Sequence, residues 1–179
     1  MKTLTLLRHA KSGWDDPVER DFDRPLNGRG RRAANRMGRY LRDEGLAYDQ
    51  IVASPALRVQ QTIAGVEDGL GRALTPAYDK RIYMASASTL LDVVHALDDA
   101  HGNILLVGHN PGLEDLVLML VPEGAAGLRD EVEIKYPTAT LAEMRFDVAR
   151  WADIDERGGT LVRFTRPREL DPSLGPDDS

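Results

Sequence analysis

Apolar residues along this chain come in two rhythms. Three short stretches are apolar on both faces rather than alternating: "TLTLLR" (3–8), "QIVAS" (50–54) and "NILLVGHN" (103–110). Unbroken runs of that length predict central strands of a parallel sheet, covered on both sides. Between them the apolar positions recur at helical spacing. In "GRGRRAANRMGRYLRDEG" they are Ala33, Met37, Tyr40 and Leu41, with Asn27 as the N-cap and Gly45 as the stop. Ser54 and Pro55 open a second helix that runs to about Leu70. "SASTLLDVVHALDDA" (86–100) is a third, and "PGLEDLVLMLV" from Pro111 a fourth. A third strand is expected near "LTPAY".

The last third changes character. "TATLAEMRFD" and "GGTLVRFTRP" predict two strands added antiparallel at the sheet edge. The segment from 168 to 179, "RELDPSLGPDDS", is expected to fray. No repeat or linker divides the rest. Strands alternating with helices give the expected fold class: one α/β domain over residues 1–167 in three layers, with a mostly parallel central sheet, helices on both faces and antiparallel edge strands.

Composition narrows the function. The 179 residues suffice for one sizeable core. A formal charge of −6 argues against a general nucleic-acid binder, although local arginines can still gather a small anion. With no cysteine, disulfides, thiolate nucleophiles and cysteine metal sites are all excluded. The N-terminus lacks the long apolar stretch of a signal peptide, and no segment approaches the roughly 18 apolar residues of a membrane span. A cytoplasmic protein with no membrane partner is expected.

The chemistry gathers where strands end. In an open α/β sheet, ligands bind beyond the carboxyl ends of the strands. Arg8 and His9 leave the first strand there, and His109 leaves a later one. Arg58 lies in the first turn of the helix after "IVASP". If the strands are neighbours, two imidazoles and two guanidinium groups meet in one crevice. Guanidinium forks match phosphate oxygens, and a neutral imidazole can attack phosphorus. Taken singly, a histidine after a strand is usually a turn or cap residue; the conjunction is what points to phosphoryl chemistry.

The motifs "LLRHAKS", "SPALRVQQT" and "LLVGHNPG", in that order, resemble the histidine phosphatase superfamily. With "DFDRPLNGRGRRAA" and "YPTATLAEMRF" the resemblance extends to its SixA-type phosphohistidine phosphatases, over roughly residues 1 to 167. The resemblance implies that His9 is a nucleophile carrying a transient phosphoryl group, that Arg8 and Arg58 clamp phosphate, and that His109 bonds the phosphoryl group in the transition state. Lys11, Ser12 and Asn110 are further phosphate-binding candidates. Neither a metal nor a cofactor is expected, because the arginines can supply the positive charge.

The chain departs from the commonest pattern in three places. Ala10 stands where glycine usually follows the histidine, and Asp15 where the mutase branch has asparagine. "DKRIYMAS" lacks the glutamate that serves many relatives as general acid. Asp15, Asp21, Asp23 and Glu114 are the carboxylates available for that role, with Asp21 and Asp23 equally placed to pair with Arg24 and Arg20. A site without a strong acid suits phosphohistidine, whose imidazole leaves as a neutral ring when already protonated. The expected partner is therefore a phosphorylated protein, such as a histidine-containing phosphotransfer domain. The alternatives are a phosphatase of small phosphate esters and a non-catalytic phosphate- or phosphoprotein-binding module. His95 and His101 read as packing or capping residues, and Trp14 as pocket wall or core. Arg29, Arg31 and Arg32 form either a solvated helix face or a docking site for an acidic phosphoprotein.

Overall fold

The computed structural model describes residues 1–13, 18, 20–124 and 127–175. Among the described residues, six strands and six α-helices follow one another as β1 (Lys2–Arg8), α1 (Gly28–Asp43), β2 (Gln50–Ala53), α2 (Leu57–Leu70), β3 (Ala77–Tyr78), α3 (Ala87–His95), β4 (Asn103–Gly108), α4 (Gly112–Leu120), α5 (Leu128–Ile134), β5 (Leu141–Phe146), β6 (Gly159–Thr165) and α6 (Pro167–Leu170). They form one sheet in the order β3-β2-β4-β1-β5-β6. The first four strands of that order are parallel, and β5 and β6 run antiparallel. The expected fold class is what the chain adopts, with one refinement. β5 lies inside the sheet, beside β1, and only β6 forms the antiparallel edge.

Each apolar strand serves two cores. Leu4 and Leu6 of β1, Ile104 and Leu106 of β4 and Val52 of β2 join the cluster filled by α3, α4 and α5. Their alternates Leu7, Leu105, Val107, Ile51 and Ala53 join the cluster under α1 and α2. This two-sided burial is why the strands read as continuous apolar runs rather than alternating ones. Each such leucine, isoleucine or valine contributes roughly 1.5–3 kcal/mol by leaving water.

The helix ends follow the sequence closely at α1, where Asn27 Oδ1 accepts from the Gly30 amide at 2.8 Å. Gly45 beyond its end takes a left-handed φ of +65°. The N-cap of α2 is Ala56 rather than Ser54, and α3 stops at His95 instead of running to residue 100. There Asp98 turns the chain, accepting from the Ala100 amide at 2.9 Å. α5 was not foreseen, being only seven residues with four of them acidic or basic at its start and centre. The fraying expected from residue 168 is corrected for 168–175. α6 and a 3-10 turn at Pro172–Leu174 pack Leu170 and the buried Leu174 against the α1/α2 core. Residues 176–179 lie outside the described residues. Among the described residues, no helix is long and apolar enough to cross a membrane.

Candidate active site

β1 and β4 are direct neighbours in register, with Arg8 opposite Gly108. The residues that follow, His9 and His109, therefore emerge side by side, and the His9 amide donates to Gly108 O at 3.0 Å. Their rings stand 5.2 Å apart at 57°. β2 flanks β4 on the other side, so the start of α2 carries Arg58 to the same place. Thr62, one turn further along α2, ties the pieces together. Its Oγ1 accepts from the Ala10 amide at 2.9 Å and donates to Arg58 O at 2.7 Å. Ala10 is fully buried and is not among the residues with positive φ, so the methyl group costs the backbone nothing here.

A cleft of about 240 Å³ opens at this point, lined by Arg8, His9, Ser12, Asp21, Arg24, Arg58, Met84, Asn110 and Thr138. His9 Nδ1 lies 2.7 Å from Ala10 O. A carbonyl can only accept, so Nδ1 carries the hydrogen and the lone pair of the neutral ring resides on Nε2. Burial, reinforced by the neighbouring His109 and by the charges of Arg58 and Arg8, holds His9 well below its ordinary value, against the opposing pull of the Ala10 carbonyl. The ring is thus neutral at physiological pH. Burial and Arg58 likewise push His109 down to about 3. Its Nε2 meets Ser54 Oγ at 2.7 Å, and its Nδ1 faces Arg58 Nη2 at 3.4 Å.

Arg58 is 1% exposed and held by Asp21: one terminal nitrogen donates to Asp21 O at 2.8 Å and the other to Asp21 Oδ2 at 2.9 Å. Tyr83 OH donates to the same carboxylate oxygen at 2.7 Å, and Arg24 to the other at 3.1 Å. Burial alone would raise the Asp21 pKa, but the Tyr83 hydroxyl and the two arginines outweigh it and bring Asp21 down to about 2. An ionised Asp21 has no proton to donate near neutrality. Arg8 donates to Tyr136 O at 2.9 Å, and Asn110 Nδ2 to the same carbonyl at 3.1 Å. The chain end of β1 is fixed in turn by Ala139, whose amide donates to both Arg8 O and His9 O at 3.0 Å from a left-handed φ of +57°.

The structure brings together Arg8, His9, Ser12, Arg58, Asn110 and Asp21, with His109 packed behind them at 2% exposure. Ser12 Oγ accepts from Arg24 at the cleft wall. Lys11 lines a neighbouring cavity instead. Asp23 pairs with Arg20 at 2.9 Å, both largely in solvent. Glu114 sits in the first turn of α4, outside the cleft lining, with its pKa raised mainly by burial. Asp15 and Trp14 lie outside the described residues. His95 Nε2 bonds Ile154 O at 2.8 Å, a packing role. Among the described residues, no group of three His, Asp or Glu side chains is placed to hold a metal ion.

Sequence reasoning missed Ser54, Tyr83 and Thr62. Ser54 reads as a helix cap because a cap and a histidine partner present the same signal, a serine before a proline. Tyr83, whose ring stands edge-on to His109 at 5.4 Å, follows a two-residue strand with no periodic pattern to place it.

Comparison with known proteins agrees with this geometry. Residues 4–83 match the model of the histidine phosphatase superfamily, branch 1. An uncharacterised protein of Mycobacterium tuberculosis is 34% identical over 167 residues, spanning 90% of this chain and 100% of the relative. Among solved structures, a candidate phosphohistidine phosphatase SixA from Nakamurella multipartitia superposes with a TM-score of 0.79 at 31% identity, over 93% of this chain and 96% of the other. A second SixA candidate, from Agrobacterium tumefaciens, gives 0.74 at 29% identity over 93% and 98%. Two histidines between two arginines, in a fold matched along nearly its whole length, make this chain a phosphatase of the histidine phosphatase superfamily, branch 1, of the SixA type.

Proposed function

We propose that this phosphatase hydrolyses phosphohistidine on a partner protein by way of a covalent intermediate on His9. The observation that carries the reading is the fixed tautomer of His9. Nδ1–H is committed to Ala10 O, which leaves the Nε2 lone pair as the nucleophile. Nε2 attacks phosphorus, the bond from phosphorus to the substrate imidazole breaks, and Arg8 and Arg58 compensate the charge spread over the equatorial oxygens. His109 Nδ1 donates to a phosphoryl oxygen once its Nε2 accepts from the Ser54 hydroxyl. Water then attacks phosphorus, the His9–phosphorus bond breaks, and both water protons remain with the released phosphate.

Neither step asks a carboxylic acid for a proton. A substrate imidazole protonated on its other nitrogen leaves as a neutral ring, and His9, holding its Nδ1 hydrogen throughout, does the same. That fits a cleft whose lining carboxylate, Asp21, is ionised. An alkoxide leaving group, by contrast, would need an acid. The SixA candidates among its structural relatives support the same substrate class. The exposed Met84 at the cleft rim gives a protein substrate an apolar contact.

The test compares phosphate release from a protein phosphorylated on histidine with release from an aryl and an alkyl phosphate, in the presence of chelator. Fastest turnover of the phosphohistidine, lost in His9→Ala, is the expected result. A faster alkyl phosphate would overturn the substrate assignment in favour of small esters.

A further inference from the structure

α1 is charged against its own dipole. Between Gly28 and Asp43 it carries six arginines, and its one acid is the final residue, with none in the first turn. The N-terminal end of a helix bears partial positive charge, so Arg29, Arg31 and Arg32 weaken the helix that carries them. A chain of net charge −6 therefore concentrates cations where local stability opposes them.

Helical spacing sets Arg29, Arg32, Arg36 and Arg39 in one stripe. That stripe follows the flank facing α6 and the turn beyond it. Arg29 and Ala33 share a cavity with Lys11, Thr138, Arg166 and Arg168, and Asp171 feels the charges of Arg36 and Arg39. Described carboxylates near this face include Glu131 and Glu169, which hold Arg166, and Asp171, whose pKa Arg36 and Arg39 help to lower. At about 20 Å³ the cavity holds little more than one water molecule. The arginine stripe of α1 beside it, rather than its interior, is what a ligand would meet. Thr138 also lines the catalytic cleft, so the basic face and the cleft share a wall.

We propose that this face docks an acidic surface of the phosphorylated partner, with its carboxylates along α1 while the phosphohistidine enters the cleft. The proposal rests on the phosphohistidine reading above. A small phosphate ester seated at His9 has no need of a stripe running three turns along α1. A nucleic acid would meet the repulsion of the whole chain over a far longer polyanion. An acidic protein patch matches the stripe in charge and in extent, and such complementarity sets orientation and encounter rate.

The experiment uses three substrates: free phosphohistidine, a singly phosphorylated histidine peptide flanked by Asp and Glu, and the same peptide flanked by Lys. The wild type should hydrolyse the acidic peptide with kcat/KM about tenfold above the basic one at low ionic strength, converging as salt screens the charges. In the double variant Arg29→Glu, Arg32→Glu that preference should vanish while turnover of free phosphohistidine is kept. Tm should hold or rise, because glutamate complements the helix dipole. Equal turnover of both peptides, or a preference that survives the variant, would overturn the proposal. Anisotropy of a labelled, unphosphorylated acidic peptide reads docking without turnover. Binding lost in the double variant supports the surface even if no phosphohistidine is hydrolysed, which would sink only the catalytic reading. No binding overturns the surface, and so does tighter binding of an oligonucleotide of equal charge.

Discussion

Ser54 Oγ stands 2.7 Å from Nε2 of His109, and a hydroxyl can either give or take that hydrogen bond. In the free enzyme Arg58 faces His109 Nδ1 as a donor, which leaves Nε2–H to donate to Ser54. In the reaction proposed above, a phosphoryl group draws Arg58 away, and the tautomer that aims Nδ1–H at phosphate then needs the hydroxyl to turn and donate. On that proposal Ser54 is a positioning residue acting through His109. Ser54→Ala should lower kcat roughly tenfold with little change in KM, the equivalent of one hydrogen bond of about 1–1.5 kcal/mol. Nitrogen NMR of the His109 ring should show a changed tautomer balance, and Ser54→Thr should restore both. A residue of merely structural importance would leave the ring spectrum unmoved. None of this was visible at Ser54 in the sequence, where a serine before proline carries the signature of a cap. The Asp21–Arg24 pairing was legible from a spacing of three residues. The Asp21–Arg58 pairing was not, because nothing local couples positions 37 residues apart.

At the scale of elements, the site depends on how closely α1 approaches the loop that leaves His9. Asn27 both caps α1 and donates its amide to Lys11 O at 3.1 Å, binding the helix start to that loop. Gly30 lies so close that a Cβ there would collide with the Lys11 backbone. On helix propensity alone, Gly30→Ala would stabilise α1 by roughly 1 kcal/mol. The collision reverses the sign: the variant should lose about 1–3 kcal/mol in urea unfolding and lower kcat, since the displaced backbone is two residues from His9. An unchanged or raised midpoint would show that the helix and loop part without cost. Elements were readable where burial imposed a rhythm, as in β1, β4 and α1. They were not readable in α5, too short for a period to register, or in α6 and the turn after it, where a short polar, proline-bearing segment gives no rhythm although Leu174 completes a core.

Across the whole molecule, two neutral imidazoles buried at one sheet end make stability depend on acidity. The pKa values of His9 and His109 are depressed in the fold and near 6.5 once unfolded, so protons favour the unfolded chain. The stabilisation they allow is complete above about pH 6.5 and is lost as pH falls toward the folded values, about 3 for His109. Urea midpoints of the wild type should fall steeply between pH 6.5 and 4, and less steeply in His9→Ala, which has one buried imidazole fewer. Parallel slopes would mean that His9 is not held neutral by burial. The sheet order explains why both histidines share this fate: β1 and β4 are paired neighbours, with Thr3 opposite Asn103, although their first residues lie 101 positions apart. Sequence could name both strands and both histidines, but adjacency belongs to the topology.

The most direct test of the central claim is to mix the enzyme with a protein phosphorylated on histidine, quench within the first turnover under alkaline conditions that preserve phosphohistidine, and locate the phosphoryl group by peptide mass spectrometry. The account predicts a phosphoryl group on His9, through Nε2, that forms and decays at rates compatible with turnover. A phosphoryl group on another residue, or undiminished turnover by His9→Ala, would contradict it.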